Sequence, residues 1–384
     1  MKDNYKKLGE YIQPVDVRNS NLRVSRLLGL SIEKCFIESI ANTIGTDFRP
    51  YKIVKKGQFA YGPVTSRNGD KITIALLEEP ECIISSSYAV FEITDTSKLL
   101  PEYLMLWFSR PEFDRYARFK SHGSVREIFD WDEMCRVELP VPDLTEQQRI
   151  VNAYNTVDRR IRLLQQINEK LEATVQTVFK HTFIEDNENN KKQIPLNDLC
   201  ITVTKGTTPT TLGFDFTTEG INFLKGESIT NAHFFDLSKF DHIDEEANKA
   251  LKRSIIQEND ILFSMAGTIG KFAIADKMIL PANTNQAVCI IRCNPKLINP
   301  IYVYSFLIGN WHIEYYTRRI QEAVQANLSL ENIKSLPIIL LDDKERKEYE
   351  NKVFPLFERI LSNNKELIKL QNLKQLIISR ISSR

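Results

Sequence analysis

The chain has 384 residues, 42% hydrophobic and 26% charged, and its 51 Lys and Arg against 50 Asp and Glu leave a net charge of +1. That size suits two ordinary domains or one large one, the modest glycine and proline content implies no long linker or disordered tail, and the charge balance does not announce a nucleic-acid binder, so any grip on DNA must come from local basic patches or partner subunits. No run approaches the ~18 apolar residues of a membrane span, the first residues lack the apolar core of a secretion signal, and the six scattered cysteines are expected to be reduced, buried thiols of a cytoplasmic protein.

In chain order, the first half opens as a β-rich region. Residues 71–77 and 89–93 read as strands between turn residues. Pro101 then starts a helix reaching about Phe108, since a first helical turn has no use for the N–H that proline lacks. A second short helical stretch follows. Thr145-Glu146-Gln147-Gln148 reads as a capping box with Thr145 as N-cap. From there Ile150, Tyr154, Val157, Ile161, Leu164, Leu171, Val175 and Val178 recur at three- and four-residue spacing, the seam of a helix packed along one partner. Ending near Phe183, that helix would be roughly 55 Å long. The polar run 185–192 is the connector. The second half has a strand at 287–291, a helix from Pro300 to about Leu307, and a second long helix. That helix carries Tyr349, Val353, Leu356, Ile360, Leu367, Leu370 and Ile377 on one face, and Pro355 predicts a kink or a fresh start inside it.

The halves repeat each other. Pro101 and Tyr103 correspond to Pro300 and Tyr302 at an offset of 199 residues, as does Tyr116 to Tyr315. Leu139-Pro140 corresponds to Leu336-Pro337 at 197, and residues 57–61 to 259–263 at 202. A period near half the chain means two copies of a domain, not a solenoid. The expected fold is α+β: two pseudo-repeated β-rich domains, each followed by a long helix, the two helices pairing as an antiparallel coiled coil. The boundaries are 1–144 and 187–341 for the domains, and 145–186 and 342–384 for the helices.

The ordered set resembles the specificity subunits of Type I restriction-modification systems. It rests on the run Leu139-Pro140-Val141-Pro142-Asp143-Leu144-Thr145-Glu146-Gln147-Gln148-Arg149-Ile150, with Ala41-Asn42-Thr43-Ile44-Gly45 and residues 51–61 before it. In the second copy Lys205-Gly206-Thr207-Thr208-Pro209 and Ala266-Gly267-Thr268-Ile269-Gly270-Lys271 carry it. The second copy departs by having Asp343-Lys344-Glu345-Arg346 where the first has Glu146-Gln147-Gln148-Arg149. The resemblance implies that each target-recognition domain reads one half of a bipartite target in double-stranded DNA. It further implies that the helices set the gap and dock two methylation subunits, and that restriction subunits join that core. The chain itself would be non-catalytic and bind no cofactor, with S-adenosylmethionine, ATP and Mg on partner subunits.

Readers of base edges present hydrogen-bond donors and acceptors, with basic side chains on phosphates. In the first copy the candidates are Ser66, Arg67, Asn68 and Lys71, then Thr43, Arg49 and Lys52, with Arg126 for phosphate. Asn68-Gly69 equally reads as a hairpin turn. In the second copy they are Thr207, Thr208, Lys225, Thr268, Lys271, Asn283, Asn285 and Gln286; the 283–286 run also reads as a loop whose amides satisfy nearby backbone. Arg115, Arg118, Lys120, Arg318 and Arg319 would serve phosphates or be solvated helix faces. No metal-ligand spacing or nucleophile motif stands out. The alternative function is a coiled-coil protein–protein adaptor that reads no DNA.

Overall fold

A computed structural model describes residues 5–39, 45–66, 69, 71–122, 127–185, 192–230, 233–267, 269–309, 312 and 328–381. Its contacts divide the chain into two units: Met1–Arg159 with Asn372–Arg384, and Arg160–Gln371.

In the first unit a four-stranded antiparallel sheet runs in the order Ile12–Val15, Ala89–Ile93, Phe59–Tyr61, Ile74–Leu76. Phe59 faces Phe91 across the two central strands, and their rings stack at 4.9 Å. The helix Pro101–Phe108 buries Tyr103, Leu104, Leu106, Trp107 and Phe108, and these residues share one core with the sheet. The predicted strand 71–77 is shorter than expected. Asp114 Oδ1 accepts the Ile72 N–H at 3.1 Å, so the start of that segment bonds to a helix side chain and not to a neighbouring strand.

The second unit repeats this sheet strand for strand: Cys200–Lys205, Val288–Cys293, Ile261–Ser264, Phe272–Ile274, again antiparallel throughout. A three-stranded sheet of Ile221–Leu224, Asp241–Ile243 and Ala282–Thr284 is added to it. Each domain closes by pairing its first strand with its last: Tyr5–Lys7 with Glu138–Pro140, and Lys192–Pro195 with Pro337–Leu340. The same tyrosine fastens both closures. Tyr103 Oη donates to the Pro140 carbonyl at 3.0 Å, and Tyr302 Oη to the Ile339 carbonyl at 2.9 Å, each pair 199 residues apart in the sequence.

The first long helix spans Leu144–Lys180 and runs into a π-helical turn, His181–Glu185. Its cap is Asp143, not Thr145: Asp143 Oδ1 accepts the Glu146 N–H at 2.9 Å. Asp342 does the same at the start of the second long helix, Asp343–Arg380, accepting from Glu345 N at 2.8 Å. The two caps set Glu345 opposite Glu146 and Arg346 opposite Gln147, which corrects the pairing of Asp343 with Glu146. The second helix makes no fresh start at Pro355 and is continuous through it. Proline inside a helix costs roughly 3 kcal/mol. Tyr349, Val353, Phe357 and Ile360, buried on either side of it, hold the turn in place.

Within the second unit the two helices run antiparallel. Arg160 grips Glu366 through two bonds of 2.7 and 3.0 Å. Further along, the Asn168 amide bonds to Asn364 and accepts from Asn363, both at 2.7 Å. The predicted seam residues Ile161, Leu164 and Val175 are buried, as are Ile360 and Leu367.

Candidate nucleic-acid interface

The best-defined polar cluster lies in the second unit, where the strand Cys200–Lys205 ends. A Cβ on Gly206 would sit 1.7 Å from the Thr284 carbonyl oxygen, so only glycine lets this loop lie on the 284–286 segment. Gly206 N–H donates to the Asn285 carbonyl at 3.1 Å. Beyond it Thr208 Oγ1 donates to Gln286 Oε1 at 2.6 Å. Arg253, from the short helix Lys252–Ser254, donates to Thr207 Oγ1 at 3.0 Å. Two side-chain bonds, from neighbouring Thr207 and Thr208, therefore join three distant segments, with exposed Lys205 and Lys252 beside them in sequence. This set offers donors and acceptors for base edges and positive charge for phosphate.

The structure brings Thr207, Thr208 and Gln286 together and holds Asn285 half-buried beside them, its Oδ1 capping Ala287 N at 3.0 Å. Asn283, an expected contact, faces away from this cluster. It is 0% exposed, its amide donates inward to Asn248 Oδ1 and the Leu251 carbonyl, and its Oδ1 accepts from Thr284 N. Lys225 forms a separate ion pair with Asp241 and lies over the Phe216 ring at 5.0 Å. Lys271 is half-buried, where the chain re-enters the sheet after Gly270. Thr268 lies outside the described residues.

In the first unit Thr43, Arg67, Asn68 and Arg126 lie outside the described residues, as do Arg318 and Arg319 in the second. Ser66 is exposed. Lys71 pairs with Glu33 at 3.0 Å. Arg49 folds back on Asp47, its Nε donating at 3.0 Å, and that hydrogen bond lowers the Asp47 carboxyl and raises the guanidinium. Lys52 shares Asp16 with Arg18, at 3.6 and 2.9 Å. The Arg18 hydrogen bond, ahead of the Lys52 charge, holds Asp16 below the usual carboxylate range.

Sequence reasoning missed Arg18, Arg23 and Arg26. Arg23 pairs with Glu81 at 3.0 Å, and Arg26 with Glu79 at 3.4 Å and with Glu38. The loop bearing them is ordered by buried Asn19, which bonds both the carbonyl and the N–H of Val24. Exposed ion pairs of this kind are worth only ~0–1 kcal/mol, so each arginine can exchange its carboxylate for a phosphate at small cost. Arg115, Arg118 and Lys120 are likewise paired, with Glu112, Glu127 and Glu133. Arg253 was also missed, and its only sequence signal was the dibasic Lys252-Arg253. Among the described residues no group of His, Cys, Asp and Glu could hold a metal ion, and no helix is long and apolar enough to cross a membrane. Cys35 is exposed, against the expectation that the thiols are buried.

The comparisons with known proteins agree with the duplication. The sequence profile of the Type I restriction modification DNA specificity domain matches residues 39–173 and 188–372. The chain is 22% identical over 330 residues to the Type I restriction enzyme MjaIX specificity subunit of Methanocaldococcus jannaschii, covering 80% of this chain and 73% of that one. It is 25% identical over 273 residues to the EcoBI specificity subunit of Escherichia coli, covering 63% of this chain and 57% of the relative. Among solved structures, the S subunit of a Type I restriction-modification system from M. genitalium superposes with a TM-score of 0.57 at 13% identity, over 98% of this chain and 95% of that one. With both copies of the domain matched, the chain belongs to the Type I restriction-modification DNA specificity family.

Proposed function

We propose that this chain is the subunit that gives a Type I restriction-modification enzyme its DNA sequence, each recognition domain reading one half of a bipartite target. The observation that carries this reading is the duplication itself: the same sheet order and the same tyrosine-fastened closure occur twice, and each copy leads into a long helix. A split target needs two readers held by a spacer, as two-fold symmetric proteins need fixed half-site separation. In this reading the helices set the gap and dock two methylation subunits, and restriction subunits complete the enzyme. Methyl transfer and cleavage belong to those partners, which hold S-adenosylmethionine, ATP and Mg, and the assembly works in the cytoplasm where the DNA is.

Salt-dependent binding tests the reading against a protein–protein adaptor. Phosphate contacts release counterions, so the logarithm of the affinity for duplex DNA should fall linearly with the logarithm of salt concentration. Measured for the chain with its methylation subunits, a steep negative slope is expected and a flat one favours the adaptor.

A further inference from the structure

Two thiols of the second unit face each other across a sheet. Cys200 opens the edge strand Cys200–Lys205, Cys293 ends the strand Val288–Cys293, and the two are partners in the antiparallel register, beside a bulge between Cys200 and Thr202. The next bond, from Asn294 N–H to the Leu199 carbonyl at 2.9 Å, holds the two strands together on the side away from the bulge. Facing residues of antiparallel strands hold their Cα atoms about 4.5–5.5 Å apart, inside the ~4.4–6.8 Å span that a disulfide bridges. Cys200 is half-buried, whereas Cys293 is 5% exposed. The remaining thiols have no such partner: Cys289 sits opposite Lys205, and Cys35, Cys82 and Cys135 belong to the first unit.

We propose that Cys200 and Cys293 are an oxidisable dithiol that closes to an intrachain disulfide when the protein meets hydrogen peroxide. The Cys200 sulfur attacks a peroxide oxygen and the O–O bond breaks. Cys200 is left as a sulfenic acid and one water departs. The Cys293 sulfur then attacks the Cys200 sulfur. The S–S bond forms, the S–O bond breaks, and the hydroxyl leaves with the Cys293 proton as a second water. Two thiols and one peroxide thus give one disulfide and two waters, each sulfur losing one electron and the peroxide gaining two. The order follows from the setting. Cys200 is the half-buried thiol, while Cys293 is buried, and its neighbour Cys200 together with burial raises the Cys293 thiol and leaves it the resolving partner. The cross-link would tie together the two strands whose opposite ends carry Thr207, Thr208, Asn285 and Gln286. Its formation does not depend on the DNA-reading function, so each can fail while the other stands.

The test uses the full chain carrying Cys35→Ser, which removes the exposed competing thiol. The protein is treated with a few molar equivalents of hydrogen peroxide, unreacted thiols are blocked with N-ethylmaleimide, and peptides are mapped with and without dithiothreitol. The expected product is a linked pair of peptides joining Cys200 to Cys293, released by dithiothreitol. The cross-link should raise the unfolding temperature by roughly 5–10 °C. Cys200→Ser should abolish both the link and the rise. Recovery of both cysteines as free thiols would overturn the proposal. So would Cys200 advancing to a sulfinic acid without a link, or a link to a second chain. The dithiothreitol comparison decides the matter in the Cys35→Ser chain alone, should Cys200→Ser fold poorly.

Discussion

Arg253 shows why single residues in this protein have to be judged by their neighbours. It stands 46 positions from Thr207, the hydroxyl it bonds, so apart from the neighbouring Lys252 nothing local marks it as part of the candidate interface. Replacing it with alanine removes a charge from the polar cluster without touching the core. Arg253→Ala should weaken specific DNA binding by about 1–3 kcal/mol, or roughly 5- to 150-fold, and alter only the half of the target read by the second domain. Competition binding against targets changed in one half checks this, and an equal loss on all sequences would reduce Arg253 to a phosphate contact. The reverse lesson comes from Asn283, whose residue type suits a base contact but whose amide is used inside the domain. Donor-rich side chains are legible in a sequence. Which way they face is not, because that depends on partners such as Asn248 and Leu251 brought in from elsewhere. Glu172 makes a separate prediction about pH. Burial, with help from Glu169, pushes its carboxyl up to about 7. The folded state therefore holds its proton more tightly than the unfolded chain, and this contribution, full below about pH 4.5, is lost as pH rises through 7. Glu172→Gln should leave stability at pH 4.5 nearly unchanged and raise it at pH 8 by about 1–2 kcal/mol. Buried His233 and His312, each held down near 4, respond in the opposite sense as pH falls. Subtracting the parent's urea titration at each pH isolates Glu172, and an equal effect at both would refute the assignment.

Among the elements, the long helices were the most legible, because an apolar period of three and four recurring from Ile150 to Val178 fits a helix and neither a strand nor a loop. Their starts were less so, since Thr145 and Asp143 both suit an N-cap and only the backbone decides between them. The Glu-Gln-Gln-Arg run owes its structural role to one residue that spacing does not distinguish. Gln147 is fully buried; its Oε1 accepts the Leu100 N–H at 2.8 Å, and its Nε2 donates to the carbonyls of Lys98 and Pro142 at 2.9 and 2.8 Å. It thereby staples the long helix to the start of the helix Pro101–Phe108. Gln147→Ala leaves three backbone groups without that partner and should destabilise the first unit by about 2–4 kcal/mol in urea unfolding. A loss below about 0.5 kcal/mol, less than one ordinary hydrogen bond, would show the staple to be dispensable. Arg346, its counterpart, bonds the neighbouring Asp343, and among the described residues it makes no such staple. The order of the sheets was hidden for a different reason. Ile12–Val15 is a short edge strand containing Pro14, and its place beside Ala89–Ile93 is set by a partner far along the chain.

For the molecule as a whole, duplication is the feature from which the function follows. Tyr103 and Tyr302 advertise it in sequence and make the same bond in structure, and two copies of one reader call for a target in two parts. The most direct measurement is a genome-wide map of modified adenines, made after co-expressing this chain with its methylation subunit in a host free of such methylation. The account predicts one split motif, methylated on both strands, absent without this chain, and altered in one half only when residues 1–144 are replaced by those of a relative. A formed complex that leaves the genome unmodified, or a domain replacement that changes both halves of the motif, would contradict it.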